Sequence, residues 1–513
     1  MRVKLTQLLL QALQDAGVNY YDQPLDLHAP KQSHHGDYAT SLPLRLAKYY
    51  KQSPASIATQ LITAWNQVPE IDLTPLNGFI NIHIHPSKIM TYLYASRHKP
   101  DKYAIVPERI LLEYVSANPT GPLHIGHGRW GVIGSCLAAI LREVGHTVHT
   151  ETYVNNAGAQ IDQFRHSVAC VRDNTPVPAS GYHGEYIQAL VSEADPVQAM
   201  MHQHAQTLAR INCCFDTWFY ESDLHQMNQI YPVLDALETV YEKDGAKFFK
   251  SSQFGDDKDR VLVKSDGSLT YFAVDIAYHA AKLRRQYTHL ITLLGADHHG
   301  YVARMQAAMR VLSANTVPLT IRIGQLVSLS QSGTPVRMSK RSGEMITLDD
   351  LIDKIGPDAT RFFLVYKSSD THVDIDLDQA VKRTSDNPVY YIQYAHARLC
   401  QVFAKVSERM PLPDGPLDPD SINAGFTEAD RPLFQHLLVL HDIIATAATQ
   451  YAPHYIATYA QKLAGLCHRF YEKNPVLTAP APLQAYRIGV MQQLQWHLKT
   501  VCDLLGITAP TRM

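Results

Sequence analysis

Residues 110–154 have the sequence ILLEYVSANPTGPLHIGHGRWGVIGSCLAAILREVGHTVHTETYV, and this stretch decides the fold. It starts with an apolar run of strand length, and a turn broken by proline and glycine follows. Apolar residues then recur at helical spacing until Gly145, which is suited to ending a helix. Residues 147–154 have the pattern of a second strand. The stretch therefore predicts a β–turn–α–β unit with His124 and His127 at its turn.

The turn of this unit is a candidate phosphate site. Backbone N–H groups at a helix N-terminus attract phosphate, and Gly126 lets a nucleotide approach the chain. Two histidines three residues apart are, on their own, more often metal ligands or surface residues. A second element changes this interpretation, because RMSKRSG at 337–343 follows the strand-like run 321–329. Lys340, between two arginines in a Ser/Gly-flanked loop, suits a mobile clamp on a polyphosphate.

The two motifs resemble the HIGH and KMSKS signatures of class I aminoacyl-tRNA synthetases. Further segments narrow the resemblance to arginyl-tRNA synthetases, and it covers nearly the whole chain. The segments that carry it include SANPTGPLHIGHGR, ETYVNNAGAQI, YFAVDIAYH, GADHHGYVAR, RMSKRSGEMITLDDLI, NPVYYIQYAHAR and LGITAPTRM.

The composition describes an ordinary globular protein. The 513 residues are 46% hydrophobic and 18% charged, with a formal net charge of −2, which alone argues mildly against an RNA partner. Seven cysteines are scattered without a CxxC pair, so no zinc site and no disulfide framework is indicated. Neither a signal peptide nor a membrane-spanning run is present, so we expect a cytoplasmic protein without membrane contact. We also expect a monomer.

We expect an α/β protein with a doubly wound, Rossmann-like parallel-sheet catalytic core, a small N-terminal α/β domain and a C-terminal α-helical bundle. The predicted domains are residues 1–95, 105–380 with a mostly helical insertion near 160–250, and 386–513. In the first, Ser53 should cap a helix that begins at Pro54. In the last, Asn387 starts the first helix, a Pro/Asp/Gly-rich loop follows, and Thr427 opens the next helix. The resemblance implies tRNA contacts for both outer domains.

Two further segments of the central domain are candidates for the site. A predicted hairpin at 259–270 leads into a helix in which Tyr271 and Asp275, four residues apart, share a face. A buried strand at 289–294 ends in GADHHG, and ligands bind at the carboxyl ends of strands in such sheets. Helix capping is the alternative role for Asp297.

The resemblance implies a two-step reaction in which ATP activates arginine and a ribose hydroxyl of tRNA(Arg) then takes the arginyl group. It makes His124, His127 and Lys340 the catalytic residues, with Mg²⁺ arriving on ATP and no zinc. The ATP-binding residues would be His124, Gly126, His127, Gly295, Asp297, His298, Met338, Ser339 and Lys340. The arginine-binding residues would be Glu113, Ser116, Asn118, His127, Tyr271, Asp275 and Glu221. A solvated helix carboxylate is the alternative for Glu221.

The second motif departs from the family pattern, with Arg337 at its first and Arg341 at its last position. Lys340 is kept, whereas many arginyl enzymes have lost it, so the need for tRNA in the activation step is open. We predict that the need persists, because a pocket arranged by the tRNA end is an induced-fit device. The alternatives are an inactive RNA-binding paralogue, another class I synthetase such as one for cysteine, and a coenzyme adenylyltransferase.

Overall fold

The N-terminal region is a three-stranded antiparallel sheet, in strand order β1-β3-β2, covered by helices. The computed structural model describes residues 1–20, 25–30, 32–65, 68–98, 103, 105–336 and 346–513. Ser53 caps its helix as predicted, since its side chain accepts a hydrogen bond from the Ser56 N–H at 3.1 Å. The elements are α1 (Arg2–Asp15), β1 (Tyr38–Thr40), α2 (Leu42–Tyr50), α3 (Pro54–Ala64), β2 (Ile71–Leu76), β3 (Phe79–Ile84) and α4 (Pro86–His98).

The central region is built on a five-stranded parallel sheet in the order β11-β10-β4-β5-β6, which confirms the predicted Rossmann-like core. Its first half contains β4 (Arg109–Glu113), α5 (Ile125–Glu143), β5 (Thr147–Val154), α6 (Ala159–Arg172), α7 (Glu185–Ala189), α8 (Pro196–Arg210), β6 (Thr217–Tyr220), α9 (Glu221–Gln226) and α10 (Ile230–Asp235). Its second half contains β7 (Val240–Lys243), β8 (Ala246–Phe249), β9 (Arg260–Val263), α11 (Tyr271–Arg284), β10 (His289–Gly295), α12 (Val302–Leu312), β11 (Leu319–Gly324), β12 (Val327–Gln331), β13 (Thr334–Val336), α13 (Leu348–Ile355), α14 (Pro357–Val365), β14 (Val373–Asp376) and α15 (Leu377–Ala380).

Part of the expected insertion at 160–250 belongs to the main sheet. Strand β6 runs parallel to β5, with Glu151 opposite Thr217 and Val154 opposite Tyr220. Only α6 to α8 are the expected helical excursion, and they connect these two strands. Strands β7 to β9 form a separate antiparallel sheet. A four-residue strand is too short for its periodicity to separate it from a helical segment.

The predicted single strand at 321–329 is wrong, because the chain changes sheets within it. Strand β11 ends at Gly324 in the main sheet, and β12 pairs with β13 and β14 in another sheet. Arg129 of α5, only 1% exposed, holds this break in place. Its guanidinium donates to the Gln325 carbonyl at 2.7 Å and to the Ser368 and Thr371 carbonyls at 2.8 Å. The break is therefore tied directly to the histidine-bearing helix.

The C-terminal region is the predicted helical bundle. Asn387 caps the first helix, and Thr427 forms a capping box with Asp430. One detail differs from expectation, because α17 begins in the predicted loop and ends before Thr427. The helices are α16 (Pro388–Ser407), α17 (Pro419–Gly425), α18 (Arg431–Leu438), α19 (Leu440–Thr449), α20 (His454–Lys473) and α21 (Ala481–Leu505).

Buried Arg361 joins the bundle to the central region. Its guanidinium donates to the Leu505 carbonyl at 2.8 Å, at the end of α21, and to the Ser135 hydroxyl at 3.0 Å, within α5. One apolar cluster continues from the N-terminal helices through α5 into the bundle. Helix α5 is therefore held from both sides. Within the described ranges, no helix has the length and apolar character needed to cross a membrane.

Candidate functional site

A cavity of about 580 Å³ lies at the carboxyl ends of the central strands. This edge of a parallel sheet is where ligands bind in α/β proteins. Seven residues predicted from the sequence line it, namely Glu113, Ser116, Asn118, Glu221, Tyr271, Asp275 and His298. They come from the ends of different strands and from α11, so the fold gathers groups that are far apart in the chain.

Glu113 is the last residue of β4 and is held from three sides. The Ser116 hydroxyl donates to its Oε1 at 3.0 Å, and the Thr292 hydroxyl donates to its Oε2 at 3.3 Å. Lys282, whose side chain is 1% exposed, forms an ion pair with the same Oε2. This buried ammonium neutralises Glu113 and fixes the direction in which its carboxylate points.

Asp275 is the least satisfied carboxylate of the cavity. Thr270 caps the N-terminus of α11, so Tyr271 and Asp275 lie one turn apart on a helix, as predicted. Among the described residues, none gives the Asp275 carboxylate a hydrogen bond or an ion pair. Burial is the main reason that the pKa of Asp275 is raised well above its ordinary value, and the Glu113 and Glu221 carboxylates add to the shift. A half-buried carboxylate with no partner among the described residues can pair with a cationic group of a ligand.

Glu221 lies inside the cavity wall, so its alternative role as a solvated helix carboxylate is wrong. It is 6% exposed and opens α9 directly after β6. The Tyr153 hydroxyl donates to its Oε2 at 2.6 Å, and His225 Nε2 lies 3.6 Å from its Oε1. Burial and the neighbouring Glu221 raise the pKa of Tyr153, which keeps this hydroxyl protonated as a donor.

His124 and His127 lie at the N-terminus of α5 and not among the residues that line the cavity. His124 is the N-cap, and its Nδ1 accepts a hydrogen bond from the His127 backbone N–H at 3.3 Å. The two imidazole rings stack with centroids 3.6 Å apart. A Cβ at position 126 would lie 2.9 Å from His124 Cε1, so Gly126 is also needed to make room for this ring.

The chain that follows the second motif returns to the same helix N-terminus. Thr347 pairs with His124 in an isolated β-bridge, and the Leu348 N–H donates to the Leu123 carbonyl at 2.8 Å. A Cβ at position 128 would meet the Leu348 side chain at 2.5 Å, so Gly128 permits this close packing. The predicted ATP-binding residues Met338, Ser339 and Lys340 lie outside the described residues.

The GADHHG segment forms the end of β10 and a short 3₁₀ helix. Gly295 ends the strand opposite Gly324 and caps this helix, so Asp297 is not its N-cap. The side chain of Asp297 lies outside what the structure describes. His298 lines the cavity from an exposed position. No group of three or more His, Cys, Asp or Glu side chains suited to a metal ion occurs in the described part of the chain.

Sequence reasoning missed several residues that line the cavity or contact its lining. Lys282 follows Asp275 by seven residues, which is two helical turns, so their shared face could have been recognised. Tyr153 lies at the end of β5 and Asn155 follows it, at the carboxyl edge of the sheet where ligands are expected. Arg304 ends the segment GADHHGYVAR, but its place in the wall could not be predicted, because it depends on how α12 packs against α11.

Comparison with known protein families covers most of the chain. Residues 3–84 match the arginyl tRNA synthetase N-terminal domain, residues 184–399 match the class I (R) tRNA synthetase catalytic domain, and residues 392–513 match the DALR anticodon binding domain. The order of the three matches along the chain is the order of the three structural regions.

Full-length relatives and a solved structure agree with these matches. An arginine–tRNA ligase of Bacillus licheniformis is 36% identical, covering 100% of this chain and 99% of the relative. One from Desulforamulus reducens is 37% identical, covering 99% of this chain and 98% of the relative. The fold is similar to that of Thermus thermophilus arginyl-tRNA synthetase, with a TM-score of 0.80 at 22% identity over 100% of both chains.

Proposed function

The chain belongs to the arginyl-tRNA synthetase family and joins arginine to tRNA with ATP, and from that premise we propose how its residues do so. The observation that carries the proposal is the Asp275 carboxylate, which has no partner among the described residues, in a cavity that also holds Glu113 and Glu221. The neighbouring carboxylates of Asp275 and Glu221 favour a substrate with a cationic side chain. The full-length matches favour the ligase over an RNA-binding paralogue.

Asp275 and Glu221 bind the guanidinium of arginine, with Tyr271 at the mouth of the cavity. A guanidinium is planar and has five N–H donors, so two carboxylates on one wall can pair with it along two edges. Lysine presents one compact ammonium and would leave acceptors unpaired, which disfavours it. Citrulline lacks the charge and would place a carbonyl oxygen against the carboxylates.

Glu113, Ser116 and Asn118 bind the α-amino end of arginine. The Lys282 ammonium occupies one oxygen of Glu113 and thereby orients the carboxylate. Lys282 is thus a positioning residue for Glu113. The Asn118 side-chain N–H donates to Gln160 Oε1 at 2.7 Å. This hydrogen bond orients the Asn118 side chain, whose oxygen can then accept from the amino group of arginine.

In the activation step, an oxygen of the arginine carboxylate attacks the α-phosphorus of ATP and pyrophosphate leaves. His124 Nδ1 accepts the His127 N–H, so its proton is on Nε2, which can donate to a phosphate oxygen. Lys340 neutralises the departing pyrophosphate, and Mg²⁺ accompanies the ATP phosphates. In the transfer step, a ribose hydroxyl at the tRNA 3′ end attacks the arginyl carbonyl and AMP leaves. Positioning and charge stabilisation carry both steps.

The outer domains bind tRNA in this proposal. Residues 1–95 contact the outer corner of the tRNA, and residues 386–513 contact its anticodon side. Residues 105–380 catalyse the reaction. We further propose that the protein acts in the cytoplasm as a monomer and that activation requires bound tRNA.

Charging of tRNA(Arg) with labelled arginine tests the proposal. The purified protein should charge this tRNA with arginine in the presence of ATP and Mg²⁺, and it should not charge it with lysine or cysteine. A protein that binds tRNA(Arg) tightly but charges it with no amino acid would support the RNA-binding paralogue instead.

A further inference from the structure

Arg304 brings a guanidinium into the cavity. It is the third residue of α12, is half-buried, and lines the same cavity as the three carboxylates. In the part of the chain that the structure describes, no residue gives it a hydrogen bond or an ion pair. Its Nε is buried and unsatisfied. Burying an unpaired cation is unfavourable, so this arrangement calls for an anion that is not part of the protein.

Arg260 also lines the cavity, and its guanidinium is paired with carboxylates of the protein. Arg260 donates its Nε–H and one Nη–H to Asp256, both at 2.7 Å, and also pairs with Asp257. The nearby carboxylates are therefore already bonded to Arg260. Burial and the like charge of Arg260 lower the pKa of Arg304, and the two aspartates oppose this only in part.

Two more features favour an anion at Arg304. The Tyr301 hydroxyl is buried and has no hydrogen-bond partner among the described residues, and the Arg304 guanidinium lies 5.3 Å from the centre of the Tyr301 ring. Arg304 also lies in the first turn of α12, where the positive end of the helix dipole disfavours a cation. A bound anion would pair with the guanidinium, accept from the hydroxyl and neutralise the helix end.

We propose that Arg304 and Tyr301 form a phosphate subsite, which binds a phosphate group of ATP or of the 3′ end of tRNA. The planar guanidinium fork matches a phosphate, with two parallel N–H···O bonds. The subsite rests on the proposed function, because both nucleotide substrates must reach this cavity. It is separate from the helix N-terminus that carries His124.

The first arm of the test measures the KM for ATP. In arginine-dependent ATP–pyrophosphate exchange with saturating tRNA, Arg304→Gln should raise the KM for ATP about tenfold or more if the phosphate is that of ATP. The KM for arginine should stay within about twofold, since the guanidinium site is intact. A rise confined to the KM for arginine would overturn the proposal, because Arg304 would then bind the α-carboxylate of the amino acid.

The second arm measures the binding of tRNA(Arg) in a double-mutant cycle. Dissociation constants are measured for the wild type and for Arg304→Gln, each with tRNA(Arg) and with the same tRNA lacking its 3′-terminal nucleotide. If Arg304 binds the phosphate of that nucleotide, removing the nucleotide should weaken binding by the wild type and have little further effect on the variant. Additive effects here, together with an unchanged KM for ATP, would overturn the subsite.

Three controls separate the subsite from a loss of structure or of the function itself. Arg304→Lys keeps the charge without the fork and should lie between the wild type and Arg304→Gln. Arg310→Gln removes an exposed arginine of the same helix that donates to the Phe254 carbonyl, and it should behave as the wild type. Melting temperatures should be similar for all variants. An inactive wild type would refute the proposed function, whereas an active wild type matched by Arg304→Gln in both arms would refute only the subsite.

Discussion

Replacing Asp275 by asparagine should weaken arginine binding and stabilise the free protein. The two effects have one cause, which is that the Asp275 carboxylate is half-buried and has no partner among the described residues until the substrate supplies one. Removing the charge takes away the partner of the guanidinium in the complex. It also removes an unfavourable buried charge from the free protein.

The size of the binding effect follows from the burial of the site. Breaking a buried charge pair by removing one partner costs about 3 kcal/mol or more, which corresponds to about a 150-fold rise in the KM for arginine. The KM for ATP should change by less than about twofold, because in the proposed function Asp275 contacts the arginine side chain and not the ATP phosphates. Steady-state ATP–pyrophosphate exchange with each substrate varied in turn gives both values.

The stability effect has a defined pH dependence. The pKa of Asp275 in the folded protein is raised above its ordinary value of 3.8, so the folded state holds this proton more tightly than the unfolded state. The carboxyl group therefore destabilises the wild type increasingly as pH rises from about 4 to the raised pKa, and it has no such effect below about pH 4. Thermal melting should show a larger stabilisation by Asp275→Asn at pH 7 than at pH 4.

Two outcomes would refute this reasoning. Equal losses for arginine and ATP would make Asp275 a structural residue, and a lower melting temperature at pH 7 would mean that the carboxylate has a stabilising partner. Asp266→Asn is the matched control, because Asp266 lies in the exposed turn just before α11, where it accepts from the Ser268 N–H. This variant should leave both KM values unchanged.

Other substitutions test other parts of the account. Glu221→Gln should raise the KM for arginine about tenfold with the KM for ATP unchanged, and equal affinity of both forms for arginine in calorimetry would contradict it. Lys340→Gln should slow single-turnover adenylate formation about 100-fold, because it removes a charge that stabilises the departing pyrophosphate. The exposed control Lys405→Gln should not slow it. Adenylate formation at the full rate in Lys340→Gln would exclude the role of Lys340. Arg129→Met should lower the free energy of unfolding in urea by about 3 kcal/mol, because it leaves buried carbonyls unsatisfied. An unchanged urea midpoint would show that water replaces the guanidinium.

The sequence predicts the elements whose local signals agree with their place in the fold. The unit from 110 to 154 has a strand-length apolar run, a Gly/Pro turn and a long helical period, and β4, α5 and β5 lie where these signals put them. Asp275 and Tyr271 could be placed on one helix face by spacing alone. Their position at the cavity could be predicted because ligands bind at the carboxyl ends of parallel strands.

The features that the sequence does not predict depend on tertiary packing. Strand β6 has four residues, and its role in the sheet is set by pairing with β5 rather than by its own pattern. The split at 325–326 depends on Arg129, which is 196 residues away from the Gln325 carbonyl to which it donates. Arg304 shares a cavity with Glu113 only because α12 packs against α11. Such distant contacts leave no periodic signal in the chain.

Arginine-dependent ATP–pyrophosphate exchange, with and without tRNA(Arg), tests the central claim most directly. Lysine and cysteine are the control amino acids. The account predicts exchange when arginine and tRNA are both present, and none with either control. Exchange with arginine alone would keep the substrate but refute the predicted need for tRNA. No exchange with arginine in the presence of tRNA would contradict the account itself.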